Sequence, residues 1–425
     1  VAPDGGGREA EQPSPALGDP DAYLDSLEPV GWRLGLERMY KLTTALGLPQ
    51  HRFASVHVVG TNGKSSVTRM TAALLEAHGV PTGACLSPHA ARWSERTLVG
   101  GEEVDLGEWA SAVERVSRAA EGVNRTLEDG EVVTQFEAAT AATFVALAAA
   151  RVKAAVIEAG LGGRLDATNT IPSQVTVLTS IGLDHTEWLG ESELEIAAEK
   201  LAVLRDQTTL VLGRVSPEVE ALAERTAAER GARLLRAPED PGSSIELRAA
   251  GGFQRRNFAL AATAAEAFLG ELDPERVAAV AASIQVPGRL ERIAERPLTY
   301  LDAAHNPDGA AALAEALPAL AEGRRVVACL AVLADKDAAA MVRALAPVLD
   351  CAVCTEIPPD GPSSVRRPSV PAGELAALCE AAGLRAEPKQ DFGAALLRGR
   401  ELAAAEPPGL LLVTGSHYVL APARI

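Results

Sequence analysis

Val56-His-Val-Val-Gly60-Thr-Asn-Gly63-Lys64-Ser65-Ser66 is an apolar, β-branched run that breaks at two glycines and restarts as a helix-forming segment. It predicts a strand over 55–59, a loop, and a helix over 64–78. Gly60 and Gly63 let the backbone wrap its N–H groups around phosphate oxygens. The helix start adds its dipole, Lys64 reaches the outer phosphates, and Ser65 or Ser66 can ligate Mg²⁺. Only two residues separate Gly60 from Gly63-Lys64, so this is not the standard P-loop spelling. A plain glycine turn is the competing reading, and the Lys-Ser pair in its proper order disfavours it. No Asn-Lys-x-Asp follows, so ATP is favoured over GTP.

Outward from this loop, strands and helices alternate. Strands are expected over 80–86, 154–158, 174–180 and 208–212, and helices over 106–121, 135–150, 218–230 and 257–269. This pattern predicts a parallel sheet with helices on both faces. Val286-Pro-Gly-Arg-Leu-Glu291 interrupts it. A second series then runs to the end, with strands over 299–302, 326–332, 350–355 and 410–414. The expected division is a disordered tail over 1–20, rich in Gly, Pro and acid, an ATP-binding α/β domain over 21–285, a linker over 286–297, and a smaller Rossmann-like α/β domain over 298–425. Two short helices are expected within 21–48.

The 425 residues carry a net charge of −17, which argues against nucleic acid or an anionic membrane as the partner. An anionic substrate therefore needs local positive charge placed deliberately. Aromatics are only 4%, so the core is built from Ala, Val and Leu. The five scattered cysteines suit a reduced compartment, and Cys351-x-x-Cys354 reads as two strand residues without a second metal-binding pair. No apolar stretch is long enough to span a bilayer and the start has no signal-like apolar region, so a cytoplasmic protein is expected. Lysine is scarce, with six against thirty-four arginines. Each retained lysine is therefore a candidate for work that a guanidinium cannot do.

Polar clusters recur where strands are expected to end, which is where ligands bind in such sheets. Glu158 opens Glu158-Ala-Gly-Leu-Gly-Gly-Arg-Leu-Asp-Ala-Thr-Asn169, and a carboxylate in that position suits a nucleotide-bound Mg²⁺. Asp184-His185 ends the next strand, and Lys200 follows on a helix. In the second half, Asp302-Ala-Ala-His305-Asn-Pro307, Asp335-Lys-Asp337 and Thr414-Gly-Ser-His417 occupy equivalent ends. Asn306 and Pro307 read as a helix N-cap and first turn. Two domains with facing strand ends imply a cleft with ATP on one wall.

Together these residues resemble the folylpolyglutamate synthase/dihydrofolate synthase family of the Mur-ligase superfamily. Ser87-Pro-His89, Glu199-Lys200 and Pro287-Gly-Arg289 add to the match, which runs from about residue 21 to the C-terminus. The resemblance implies a P-loop-containing Mur-ligase-like central domain and a C-terminal glutamate ligase domain. It implies that Asn62, Gly63, Lys64, Ser65 and Ser66 bind the ATP phosphates, with Asn257, Arg289 and Asp302 completing the ATP site. Ser65, Ser87, Glu158, His185 and Lys200 would hold two Mg²⁺ ions, Lys200 as a carbamate formed with CO₂. Thr134, Gln135, Phe136 and Glu137, with Leu165, Asp166 and Ala167, would contact the pterin-bearing acceptor. His305 and Ser416 would lie on the glutamate side, and K⁺ or another monovalent cation is a further expected cofactor. Two departures concern shape: Ser65 replaces a glycine common in the family, and Leu-Ala-Val follows Lys200 in place of Ala-Gly-Ile.

The implied reaction is ATP-dependent amide ligation, with Lys64, Lys200 and His305 as its catalytic side chains. The γ-phosphoryl group passes to an acceptor carboxylate, and the amine of L-glutamate displaces phosphate from the acyl phosphate. His305 would position or deprotonate that amine, unless it is merely a structural residue beside the cap. The acceptor would be a reduced folate, dihydropteroate or both, and a monomer without nucleic-acid or membrane partners is expected. A cell-wall ligase is disfavoured because only about forty ordered residues are expected before Gly60. A nucleotide-dependent switch gives no reason for Lys200, Arg289 and Asp302.

Overall fold

Val56, Val58 and Val59 are fully buried because β1 (Ala54–Val59) lies inside an eight-stranded sheet. The computed structural model describes residues 18–28, 35–128, 130–358 and 368–424. The other strands of the first sheet are β2 (Thr82–Cys85), β3 (Thr97–Val99), β4 (Glu102–Glu103), β5 (Ala154–Glu158), β6 (Ser173–Leu178), β7 (Thr209–Leu212) and β8 (Arg233–Arg236). Their order is β4-β3-β2-β5-β1-β6-β7-β8, with every pairing parallel except β2–β3 and β3–β4 at one edge, where β3 alone is reversed. The pairing of β1 with β5 puts Val58 opposite Glu158, so the phosphate-type loop and that carboxylate leave the sheet side by side.

Helices cover both faces, as a parallel sheet requires. On one face, Lys64–Ala77 packs against Gly252–Leu269 through Val67, Met70, Leu74 and Phe258. On the other, Leu106–Asn124 and Gln135–Ala149 bury Trp109, Val113 and Phe144. Both helix starts are set locally. Asp105 accepts from the N–H groups of Gly107 and Glu108, and Thr134 forms a capping box with Glu137.

The second sheet comprises β9 (Glu291–Glu295), β10 (Leu298–Leu301), β11 (Val326–Leu330), β12 (Cys351–Cys354), β13 (Ala386–Pro388) and β14 (Leu410–Thr414). Its order is β13-β12-β11-β14-β10-β9, parallel except for β9. Part of the expected linker is therefore an edge strand: residues 291–295 pair with β10. The helix expected over 257–269 begins at Gly252, and the helix Pro274–Ser283 has no counterpart among the sequence expectations. Of the expected tail, residues 1–17 lie outside the described residues, and Asp19 caps a helix from Pro20 to Ser26. Cys351 and Cys354 are buried strand residues, and no cluster of three or more His, Cys, Asp or Glu suited to a metal occurs among the described residues. No described helix is long and apolar enough to cross a membrane.

Candidate active site

The carboxyl ends of β1, β5 and β6 face those of β10, β11 and β14 across one cleft. It is lined from the first sheet by Asn62 to Ser65, Ser87, Glu158, Asp184, His185 and Lys200, and from the second by Arg289, His305, Lys336, Ser416 and His417.

The loop between β1 and its helix needs both glycines. Gly63 is the helix N-cap at φ 86°, and a Cβ there would meet Asn257 Oδ1 at 2.7 Å. A Cβ on Gly60 would collide with Thr179 Oγ1. Lys64 Nζ donates to the carbonyls of Gly60 and Thr61, both at 3.1 Å. Glu158 is buried and accepts from Ser65 Oγ at 2.9 Å and from the Ser87 N–H at 3.0 Å. Burial pushes the Lys64 amine down and the Glu158 carboxyl up, and the charge of each partly restores the other. Glu158 and the hydroxyls of Ser65 and Ser87 are hard oxygen donors, the set that Mg²⁺ accepts alongside water and phosphate oxygens.

Lys200 is only 4% exposed, and its amine has no hydrogen-bond or ion-pair partner among the described residues. Burial, then the Lys64 charge, lowers its pKa to about 7, so much of it is a neutral amine at neutral pH. Gly163 makes room beside it, since a Cβ there would lie 2.9 Å from Lys200 Cα. His185 adopts a left-handed backbone at φ 53°, and burial brings its imidazole down to about 4 despite the nearby Asp184.

Asp184 joins the two halves. Its Oδ1 accepts from Lys336 Nζ at 2.7 Å and its Oδ2 from Asn306 Nδ2 at 3.0 Å. His305 Nε2 lies 3.6 Å from Oδ2. Although burial opposes it, the His305 contact and the charges of His185 and Lys336 hold this carboxyl well below the usual range. Asn306 also exchanges amide hydrogen bonds with Asn62 at 3.2 and 3.1 Å while its Oδ1 caps its own helix at the Gly309 N–H. The phosphate-type loop is thus tied directly to the second sheet. Lys336, Asn306 and His417 were present in quoted motifs but absent from the expected site residues. Lysine scarcity was the signal for Lys336.

Other expected residues support the cleft from behind. Asp302 is buried and accepts from the N–H groups of Leu290 and Ala304 at 2.9 and 2.8 Å, which fixes the chain that carries Arg289. Burial raises its pKa, and Arg289 counters that. Asn257 is held by Gln254 at 3.0 Å and abuts Gly63. Ser66 is buried in the first turn of the helix, and Ser416 caps the turn His417–Val419. His305 Nδ1 contacts the Ala303 carbonyl at 3.0 Å, and its ring lies 4.8 Å from that of His417.

The residues expected to touch an acceptor do not line the cleft. Glu137 is paired with buried Arg38 at 3.1 Å, and Gln135 Nε2 donates to the Leu24 carbonyl at 3.1 Å. Asp166 accepts from the N–H groups of Leu161 and Thr168, and Ala167 is buried. Phe136 packs where a side chain on Gly160 would fall, and Leu165 is 37% exposed. Phe136 and Leu165 therefore offer apolar surface, while their neighbours hold the two loops.

Two family descriptions match the chain: the Mur ligase middle domain over residues 58–244 and the Mur ligase, glutamate ligase domain over 288–417. The dihydrofolate synthase/folylpolyglutamate synthase of Mycobacterium tuberculosis is 36% identical over 363 residues, covering 75% of this chain and 74% of that protein. The structure of M. tuberculosis folylpolyglutamate synthase complexed with ADP and AMPPCP superposes with a TM-score of 0.85 at 32% identity, covering 92% of this chain and 95% of that one. A complex of FPGS with AMPPCP and folate gives 0.81 at 30% identity, covering 95% and 97%.

Proposed function

Because the chain belongs to the folylpolyglutamate synthase/dihydrofolate synthase family of Mur ligases, we infer that it joins L-glutamate to a folate-type carboxylate at the expense of ATP. The observation that carries this reading is the tie between Asn62 of the phosphate-type loop and Asn306 beside His305. It sets a nucleotide wall and a glutamate ligase wall in one cleft. The relatives' complexes with ADP, AMPPCP and folate support ATP and a folate as ligands.

In this reading, Asn62 to Ser66 bind the phosphates through backbone N–H groups and the Lys64 ammonium, with Asn257 and Asp302 completing the nucleotide site. The acceptor carboxylate attacks the γ-phosphorus, ADP leaves, and an acyl phosphate forms. Lys64 and Arg289 stabilise the charge that spreads over the transferring group. The α-amine of L-glutamate then adds to the acyl carbon, loses a proton and expels phosphate. His305, held at Nδ1 by the Ala303 carbonyl, orients the amine. Closure of the second domain keeps water from the acyl phosphate.

Glu158, Ser65 and Ser87 would hold Mg²⁺, which supplies Lewis-acid charge at the phosphates. Lys200 and His185 would serve a second ion. An ammonium repels a cation, but the buried neutral amine of Lys200 can add CO₂, releasing a proton and gaining two carboxylate-like oxygens. Phe136 and Leu165 would bear on the acceptor's ring system. Assays with dihydropteroate and tetrahydrofolate side by side test the reading, which expects ATP consumption that depends on glutamate and on at least one of them.

A further inference from the structure

Beyond Ser65, Pro88, Arg289 and His417, which border both, the cleft opens into a second pocket. Its remaining walls come from the helix Lys64–Ala77, the segment following β2, Val286 and Pro287 just before Arg289, Ala303, and the short C-terminal helix Leu420–Ala423 with Arg424. Arg69 lies one turn beyond Ser65 on the same helix face. Its guanidinium makes no hydrogen bond or ion pair among the described residues, and burial lowers its pKa against the more distant charges of Glu158, Glu95 and Glu291. A half-buried guanidinium without a partner is costly to fold around, and its planar fork suits a carboxylate.

The neighbouring charges are already committed. Arg424 is paired with Glu291 at 2.5 Å, and Glu95 accepts from the N–H groups of Ala90, Ala91 and Arg92 at 2.8 to 3.0 Å. His89 accepts at Nδ1 from Arg96 Nε at 2.9 Å. With Nδ1 accepting, the ring hydrogen sits on Nε2, which faces the pocket as a donor. Arg289 contacts His417 Nε2 at 3.4 Å and faces the transferring phosphoryl group, so among the described residues Arg69 is the uncommitted positive charge of this pocket, in a chain whose net charge is −17.

We propose that this pocket recognises the γ-carboxylate of the incoming L-glutamate, with Arg69 as the specificity-determining residue. The proposal rests on the ligase reading above. Glutamate is the substrate that must present its amine to the acyl carbon in the cleft, beside His305, while its two carboxylates are held elsewhere, and this pocket opens off that cleft at Arg289 and His417. ATP is accounted for at the start of the same helix, and the acceptor's ring at Phe136 and Leu165. A bidentate guanidinium also explains how glutamate is told from glutamine, whose amide cannot accept both N–H groups.

The test is steady-state kinetics on the full chain with Arg69→Met and Arg69→Lys. Loss of one charge-assisted contact should raise KM for L-glutamate about tenfold to a hundredfold. KM for ATP and for the acceptor should hold, and discrimination against L-glutamine should shrink. Acyl phosphate trapped with hydroxylamine, which needs no glutamate, should form at the wild-type rate. Should Arg69→Met fail to fold, Arg69→Lys is expected to show the KM rise alone, because it keeps the charge and loses the fork. An unchanged glutamate KM in a wild-type-like ligation background overturns the subsite while leaving the ligase reading intact. A rise confined to the acceptor's KM assigns the pocket to the acceptor's glutamyl tail and overturns it too. A wild-type protein that forms neither hydroxamate nor product removes the ligase reading, and this subsite with it.

Discussion

Replacing Lys336 by Met should uncouple the two domains without touching a phosphate-binding group. Lys336 and Asp184 have side chains only 8% and 9% exposed and meet at 2.7 Å. Removing one partner of a buried ion pair costs about 3–5 kcal/mol because the other charge is left uncompensated. Asp184 would keep Asn306 Nδ2 at 3.0 Å and the His185 N–H at 3.0 Å, so the lower end, about 3 kcal/mol, is appropriate. Because the lost contact joins the two sheets, that energy falls on the closed arrangement of the domains. About 3 kcal/mol corresponds to roughly a hundredfold shift in population. The expected result is a kcat/KM about a hundredfold lower, with closure measured by fluorescence transfer between labels on the two domains. In a double-mutant cycle with Asp184→Asn, the losses should fall well short of additive. Turnover within a factor of about two of wild type in Lys336→Met, or additive losses in the cycle, would refute the coupling.

Three further outcomes are expected. Lys64→Ala should abolish ligation while the circular dichroism spectrum and melting temperature stay near wild type, since Lys64 Nζ contacts only loop carbonyls. Lys200→Arg should be inactive even though charge and most of the length remain, because a guanidinium cannot form a carbamate. A carbon-13 resonance from bound CO₂ should disappear with it, and full activity in carbon-dioxide-free buffer would exclude the carbamate. Arg38→Met should lower stability by about 3 kcal/mol, because Glu137 loses its buried guanidinium but keeps the Thr134 N–H and hydroxyl, seen as a lower denaturant midpoint.

Residues 54–77 were readable because each local feature agreed: β-branched strand, glycines at the turn, and Lys-Ser at a helix start. The helices from Leu106 and Gln135 were equally plain, since Asp105 and Thr134 cap them locally. The sequence was quiet at the sheet edges. β4 has two residues, β8 begins and ends with arginine, β9 reads Glu-Arg-Ile-Ala-Glu, and β13 ends in proline. Edge strands need little apolar surface, so no hydrophobic pattern announces them. The same limit applies to the site. Glu158 and Lys200 could be singled out by motif and scarcity, whereas the Asp184–Lys336 and Asn62–Asn306 pairs exist only once two domains meet. Gln135, Glu137 and Asp166 show the converse, since their polar side chains bond to the scaffold beneath the expected acceptor region.

The central claim is that one cleft couples ATP hydrolysis to glutamate addition on a folate-type carboxylate. The most direct measurement is mass spectrometry of the acceptor after incubation with ATP, Mg²⁺ and L-glutamate, with phosphate counted in the same tube. The account predicts an acceptor heavier by one glutamyl residue for each phosphate released, and no phosphate when either glutamate or the acceptor is withheld. Steady phosphate release without glutamate, or an acceptor of unchanged mass with both dihydropteroate and tetrahydrofolate, would contradict it.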